Sequence, residues 1–242
     1  MASVVQPEDE LLLEACFVGD LRKVQKIIEH KFLVSMFTNE TVHNIRNTYR
    51  DTHLIISARR GHDSIVSLLL SFGGDFPSFI NNEGSNCLIE ASCNGQLEVI
   101  KVLLSDNRIN PNVQDKEGYS ALLSAIGYGE LDIVNELLKH PDTDINIQDE
   151  NGDTPLHMAC LEENFECVRL LMTYKGNPAD PNIQNNQGET PLYIAVVSKN
   201  YQIVSFLTSW KHVDQTIPCN LGMTPKMAAL SLAKTESVTK KE

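Results

Sequence analysis

The stretch that decides the fold is Asp149-Glu150-Asn151-Gly152-Asp153-Thr154-Pro155-Leu156-His157-Met158-Ala159. A similar motif, with a glycine at the same position, recurs along the chain. These glycines are Gly84, Gly118, Gly152, Gly188 and Gly222, which are 34, 34, 36 and 34 residues apart. A fixed period of this length is the signature of a repeat architecture. The sequence therefore predicts a chain built of similar stacked units.

Each copy of this motif carries a signal for the start of a helix. In Thr154-Pro155 the threonine hydroxyl can accept a hydrogen bond from a free backbone N–H of the first helical turn. Proline suits the next position, where its missing N–H costs nothing. Five residues after the cap position every copy has a small side chain, at Ala15, Ser57, Ala91, Ala125, Ala159, Ala195 and Ala229. Small side chains there allow the first helices of neighbouring units to approach closely.

The text T-P-L-H-x-A at 154–159 resembles the hallmark of the ankyrin repeat, a unit of about 33 residues. The copy at 188–195, Gly-Glu-Thr-Pro-Leu-Tyr-Ile-Ala, is close to it, and those starting at Gly222, Gly118 and Gly84 keep less of it. Two degenerate copies precede these, at 51–70 and 10–29. The resemblance implies an all-α ankyrin-repeat solenoid of stacked helix-turn-helix units with β-hairpin-like finger loops.

The resemblance covers nearly the whole chain and sets the expected boundaries. We expect a flexible N-terminus at 1–8, one curved ankyrin-repeat domain at 9–234 and a flexible C-terminal tail at 235–242. The seven repeats are expected at 9–46, 47–80, 81–114, 115–148, 149–184, 185–218 and 219–234, with the first and last incomplete. The first connection is longer than the others, so the insertion within 31–50 forms either a longer finger or additional helix.

Two further columns of the repeat predict packing and turns. A leucine expected in the core lies three residues before each small residue, at Leu12, Leu54, Leu88, Leu122, Leu156 and Leu192, and Lys226 breaks this series in the last repeat. Gly61, Gly95 and Gly129 can end a first helix in the left-handed conformation at little cost. Glu163 and Lys199 replace them later, which implies some strain.

Composition and charge exclude several classes of function. The chain has 20 Lys and Arg against 32 Asp and Glu, a formal net charge of −12, whereas binding to nucleic-acid phosphates needs clustered cations. No apolar run approaches the roughly 20 residues of a membrane-spanning helix, and residues 1–7 lack the basic start of a signal peptide. The six cysteines form no CxxC pair, which indicates reduced thiols. We therefore expect cytoplasmic localisation, with the nucleus as the alternative, and no membrane or nucleic-acid partner.

The sequence predicts no enzyme, no catalytic residue, no metal site and no cofactor. There is no P-loop and no GxGxxG text, and the histidines lack carboxylates or cysteines at matching positions. His157 stands inside the motif, where the family uses the imidazole to tie the finger to the start of the helix. We therefore assign it a structural role.

The predicted function is a non-enzymatic protein–protein interaction adaptor or scaffold that binds its partner on the concave face of fingers and inner helices. The alternative is an inhibitor or regulatory subunit that blocks an enzyme's active site. Scaffold positions of a repeat are fixed and the remaining positions are free to vary. The candidate partner-binding residues at the free positions are Tyr49, Arg59, Arg60, Glu83, Lys116, Glu117, Tyr119, Tyr128, Glu150, Asp153, Leu161, Glu162 and Glu189.

The distribution of charge predicts the chemistry of the partner. Residues 81–200 carry 7 basic and 19 acidic side chains, so the whole negative excess lies there. We expect a monomer that binds a basic protein segment, with an apolar or aromatic residue for Tyr119 and Tyr128. The resemblance also suggests hydroxylation of Asn112 and Asn146, each eight residues after a leucine, a spacing that asparaginyl hydroxylases favour.

Overall fold

The computed structural model of the chain describes residues 7–38, 47, 51–72 and 78–239. Its secondary structure in these ranges is helical, apart from turns and loops, a single 3₁₀ residue at Ser78 and three residues in isolated bridge geometry, Thr52, Gln114 and Ser120. Of these, Gln114 pairs with Ser120. The helices described there are α1 Pro7–Val18, α2 Leu21–Thr38, α3 His53–Arg60, α4 Asp63–Ser71, α5 Cys87–Cys93, α6 Leu97–Leu104, α7 Ala121–Gly127, α8 Leu131–Lys139, α9 Pro155–Leu161, α10 Phe165–Thr173, α11 Pro191–Val197, α12 Tyr201–Thr208 and α13 Pro225–Thr239.

The first helix of a repeat begins at the capping residue that the sequence predicts. The hydroxyl oxygens of Thr52, Thr154 and Thr190 each accept a hydrogen bond from the backbone N–H three residues later. At the start of α5 the side chain of Asn86 does the same. Short polar side chains at this position satisfy an N–H that the helix itself leaves without a partner.

The turns after the first helices have the predicted left-handed backbone. Gly129 has φ 75°, and the two residues that replace glycine in later repeats, Glu163 and Lys199, have φ 53° and 59°. A side chain with a Cβ is strained in this region. The backbone therefore confirms the prediction that Glu163 and Lys199 are strained where they replace glycine.

Contacts divide the chain into two compact units. The N-terminal unit comprises residues 1–124 and 136–143. In it the first helices α1, α3 and α5 pack side by side, and the second helices α2, α4 and α6 form a layer against them. Leu54, Leu88 and Leu122 are fully buried there, as the leucine column predicts. Helix α2 continues to Thr38, so additional helix accounts for the start of the 31–50 insertion.

The C-terminal unit comprises residues 125–135 and 144–242. Its first helices α9, α11 and α13 pack in one layer, and α10 and α12 in another. Leu156 and Leu192 are buried in its core, whereas Lys226 is exposed on α13. Helix α13 runs to Thr239, beyond the boundary at 234 that the sequence predicts for the last repeat.

The cysteines are thiols, five of them buried and Cys93 half-buried. Burial raises the pKa of Cys16 and of Cys87 to about 12, which keeps both protonated at neutral pH. They act as small apolar side chains of the core. Across the described ranges, no helix combines the length and the apolar character that crossing a membrane requires.

Candidate functional site

His157 joins the start of α9 to the finger of the following repeat. Its Nδ1 accepts a hydrogen bond from the backbone N–H of Thr154 at 3.1 Å, so the proton of the ring is on Nε2. Nε2 lies 3.0 Å from the carbonyl oxygen of Glu189 and donates to it. Burial lowers the pKa of His157 below its ordinary value, and the ring is neutral at physiological pH. This arrangement is structural and leaves no basic nitrogen free for catalysis.

The fingertips of the C-terminal unit are linked by backbone hydrogen bonds. The N–H of Asn186 donates to the carbonyl oxygen of Asn151 at 2.9 Å, and the N–H of Asn220 donates to that of Gln187 at 2.9 Å. The side-chain amide of Asn186 adds a bond of 2.8 Å to the carbonyl oxygen of Glu150. The exposed side chain of Glu150 is therefore held on a fixed frame.

The N-terminal unit has the same link between its two described fingertips. The N–H of Lys116 donates to the carbonyl oxygen of Glu83 at 3.0 Å. Gly84 permits this approach, because a Cβ there would lie 2.9 Å from the nitrogen of Lys116. The carboxylate of Asp115 accepts the N–H of Glu117 at 3.0 Å and so shapes the second tip. The side chains of Glu83, Lys116 and Glu117 are exposed at these tips.

Arg59 belongs to a network of ion pairs and hydrogen bonds within the N-terminal unit. Its guanidinium makes two hydrogen bonds to the carboxylate of Asp51, at 3.0 and 2.9 Å, and one of 2.8 Å to Glu90. The amide of Asn81 donates to both carboxylates, at 3.2 and 3.0 Å. The side chain of Asp51 is fully buried. The expectation that Arg59 is free of structural duty is wrong, because its charge is already balanced inside the unit.

Arg60, the next residue, remains on the surface. Its guanidinium carbon lies 3.7 Å from the ring centroid of Phe17, and Phe17 is itself exposed. A cation over an aromatic face at this distance is a favourable but modest contact. Arg60 therefore keeps a charge that a partner can reach.

The structure also corrects the expectation that Asp153 contacts a partner. It is buried, and its carboxylate accepts a hydrogen bond of 2.8 Å from the amide of Asn185. The carboxylate joins neighbouring fingers of the C-terminal unit and is not presented to a partner. Glu189, which also belongs to the expected site, is half-buried beside Asn185.

The remaining candidate residues divide by exposure. Tyr128 is 66% exposed and Leu161 is 46% exposed, so a partner can reach both side chains. Tyr119 is half-buried and makes contacts of its own. Tyr49 lies outside the described residues. The charged candidates that are exposed are Arg60, Glu83, Lys116, Glu117, Glu150 and Glu162.

The two asparagines predicted to be hydroxylated both have hydrogen-bonded side chains. The amide of Asn112 donates to the carbonyl oxygen of Asp142 at 2.7 Å, within the N-terminal unit. The side-chain oxygen of Asn146 accepts the N–H of Asp180 at 2.9 Å, within the C-terminal unit. Hydroxylation of either residue stays a prediction, which intact-mass measurement of protein from its native cell tests.

Sequence reasoning missed the network of Arg59 with Asp51, Glu90 and Asn81. Its members come from neighbouring repeats, and no local pattern marks them as partners. A signal was present nonetheless, since Arg59 and Glu90 place opposite charges on adjacent first helices. Among the residues that the structure describes, no three His, Cys, Asp or Glu side chains are grouped so that they could hold a metal ion.

Comparison with known proteins agrees with this architecture. A family model described as ankyrin repeats (3 copies) matches residues 12–115, 107–178 and 122–219. Among solved structures, the chain is similar to the ankyrin repeat domain of Bcl-3, which is described as a unique member of the IkappaB protein family. The TM-score is 0.80 at 22% sequence identity, over 90% of this chain and 93% of that one. A search of curated protein sequences gave no match. The fold class predicted from the sequence is confirmed.

Proposed function

Because the chain belongs to the ankyrin-repeat family, we propose that it is a protein–protein interaction module, an adaptor or scaffold without catalytic activity of its own. The fold alone names no partner, so the proposal rests on the exposed residues. The observation that carries it is the linked row of fingertips in each unit, which holds exposed charged side chains on a hydrogen-bonded frame.

Preorganisation of the fingertips favours binding. A loop that is ordered only on binding loses conformational freedom, and this loss weakens the complex. The bonds from Asn186 to Asn151 and from Lys116 to Glu83 fix the tips before a partner arrives. The exposed tip side chains can therefore bind without that loss.

We propose that the partner contributes a basic segment. Glu83 and Glu117 are exposed on the N-terminal unit, and Glu150 and Glu162 on the C-terminal unit. Complementary charge mainly accelerates association and selects against acidic partners. The aromatic contribution comes chiefly from Tyr128, since Tyr119 is half-buried. We also propose that this chain is a monomer in the cytoplasm or nucleus and does not bind nucleic acid. Its net charge of −12 supports the last point, because binding to phosphates needs clustered cations.

Affinity capture tests this function. The full chain is immobilised and exposed to a lysate of the cells that express it, and retained proteins are quantified by mass spectrometry. The wild type is compared with Tyr119→Ala plus Tyr128→Ala, which should weaken binding of the true partner by about 2 kcal/mol or more. Retention of no protein, or equal retention by both chains, would contradict the proposal.

A further inference from the structure

In the C-terminal unit a glutamine side chain bridges each finger to the next. The side-chain amide of Gln184 donates to the carbonyl oxygen of Gly188 at 2.6 Å and to that of Pro218, on the following finger, at 3.0 Å. The amide of Gln148 makes the same pair of bonds, at 2.6 and 3.4 Å, to the carbonyl oxygens of Gly152 and Gln184. This side chain therefore fills the space between two fingers and donates to a carbonyl oxygen on each.

The equivalent position in the N-terminal unit holds Ile80. It lies four residues before Gly84, as Gln184 lies four residues before Gly188. An isoleucine side chain has no hydrogen-bond donor and cannot make either bond. The carbonyl oxygens of Gly84 and Gln114 therefore receive no bond from the side chain at position 80, and this bridge between the two fingers is missing.

A cavity of about 390 Å³ lies where the bridge is missing. Its walls are residues 80–82 and Gly84 on one finger and residues 114–116 on the next, and we call it the finger cavity. The two walls are joined by the hydrogen bond of 3.0 Å from the N–H of Lys116 to the carbonyl oxygen of Glu83. Pockets that bind small ligands span about 300–1,000 Å³, so the finger cavity is large enough to bind one.

Both walls are fixed by hydrogen bonds within their own fingers. The side-chain oxygen of Asn81 accepts the N–H of Glu83 at 2.9 Å and that of Ser85 at 3.0 Å. On the opposite wall the carboxylate of Asp115 accepts the N–H of Tyr119 at 2.9 Å. The finger cavity is therefore shaped before a ligand enters it, which lowers the conformational cost of binding.

We propose that the finger cavity binds a primary carboxamide on a short flexible stem, the group that glutamine supplies at this position in later repeats. The two N–H bonds of the ligand amide donate to the carbonyl oxygens of Gly84 and Gln114, since a carbonyl oxygen has two lone pairs. The oxygen of the carboxamide accepts from the ammonium group of Lys116, and the stem lies against Ile80.

The same groups select against other polar ligands. An ammonium or guanidinium group would lie beside the like charge of Lys116, and a carboxylate has no donor for the two carbonyl oxygens. The inference does not depend on the proposed function, because it concerns a single chemical group and not the acidic surface.

Amide chemical shifts of the ¹⁵N-labelled full chain measure binding of small probes. N-acetyl-glutamine N-methylamide should give saturable shifts at Gly84, Asp115 and Lys116. The matching glutamate and methionine compounds should give shifts at least about five-fold smaller at the same concentration, because their side chains carry no donor at neutral pH. Absence of saturable shifts at these residues, or an equal response to either matching compound, would overturn the inference.

Free glutamine distinguishes the two sources of the carboxamide. Binding at least as tight as that of the capped compound supports the free amino acid as the ligand. Weaker binding supports a glutamine side chain within a protein segment, because the charged amino and carboxyl groups of the free molecule are absent there.

Two variants at position 80 test the site itself. Ile80→Gln installs the bridging residue of the later repeats, whose amide takes both carbonyl oxygens. Binding of the capped glutamine should weaken at least about ten-fold, while the thermal unfolding midpoint stays the same or rises. Ile80→Val keeps an apolar side chain without a donor and should bind within about two-fold of the wild type. Unchanged binding by Ile80→Gln, a lower midpoint for it, or equal loss of binding in Ile80→Val would overturn the inference.

Discussion

The Nε2 atom of His157 lies 3.0 Å from the carbonyl oxygen of Glu189, which belongs to the finger of the following repeat. The same ring accepts the backbone N–H of Thr154 at Nδ1, so one imidazole closes the start of a helix and ties two repeats together. The bond from Thr154 requires Nδ1 to be unprotonated, and the bond to Glu189 requires the proton on Nε2, so both together are made only by the neutral ring. Protonation of Nδ1 therefore removes the bond from Thr154 and places a positive charge in a buried site, whereas the bond to Glu189 is kept.

The burial of His157 makes stability depend on pH. Burial lowers the pKa of His157 below the ordinary 6.5, so at intermediate pH the unfolded chain binds a proton that the folded chain does not. The contribution is fully present above about pH 6.5 and is lost as pH falls through the folded pKa. We expect the urea midpoint to fall between pH 7.5 and 5.5. His157→Gln should be less stable at pH 7.5 and should show a shallower dependence, and an unchanged slope would assign the effect to other groups.

The network of Arg59 predicts a large loss of stability on its removal. Arg59→Ala leaves the buried carboxylate of Asp51 without a counterion, which should cost about 3 kcal/mol. Arg59→Lys should recover only part of this, because an ammonium cannot reproduce the paired bonds of a guanidinium. Arg60→Ala, at the adjacent exposed cation, should cost less than about 1 kcal/mol. Urea unfolding at pH 7 measures all three, and similar losses for Arg59→Ala and Arg60→Ala would contradict the role of the network.

The sequence predicts the local features of the fold well. Thr154 as a cap, Leu156 in the core and Glu163 in a left-handed turn each follow from one position in a repeating pattern. The sequence does not predict the structural roles of Arg59 and Asp153, because both residues occupy positions that vary freely in the repeating pattern. Glu90, a partner of Arg59, and Asn185, the partner of Asp153, lie on the following repeats, and contacts between polar side chains that distant in sequence leave no periodic signal.

The leucine column gives a direct test of the register. Leu122 is fully buried, so Leu122→Ala should cost about 2–5 kcal/mol. Lys226 occupies the corresponding position in the last repeat and is exposed, so Lys226→Ala should change the free energy of unfolding by less than about 0.5 kcal/mol. Denaturant unfolding compares the two variants. Equal losses would show that the assigned register is wrong.

The left-handed turns offer a way to stabilise the C-terminal unit. Glu163 has φ 53°, and replacing it by glycine removes strain, so Glu163→Gly should raise the free energy of unfolding by about 0.5–1 kcal/mol. The reverse change, Gly129→Ala, should lower it by about 1 kcal/mol through strain alone, because a Cβ there meets no atom within 4 Å. Changes of the same sign in both variants would contradict this account.

The central claim is that a basic segment binds the exposed acidic surface of a protein-binding module. Two variants with the same change of net charge separate this surface from the charge of the whole molecule. Glu150→Lys plus Glu162→Lys reverses charges on a fingertip and at a first-helix end. Glu98→Lys plus Glu166→Lys reverses exposed charges on the second helices α6 and α10.

The association rate constant of the captured partner, measured against ionic strength for the wild type and these two variants, tests the claim most directly. We expect Glu150→Lys plus Glu162→Lys to lower the rate at least about five-fold at low salt and to flatten its salt dependence. Glu98→Lys plus Glu166→Lys should stay within about two-fold of the wild type. Equal rates for the two double variants would contradict binding of a basic segment at this surface.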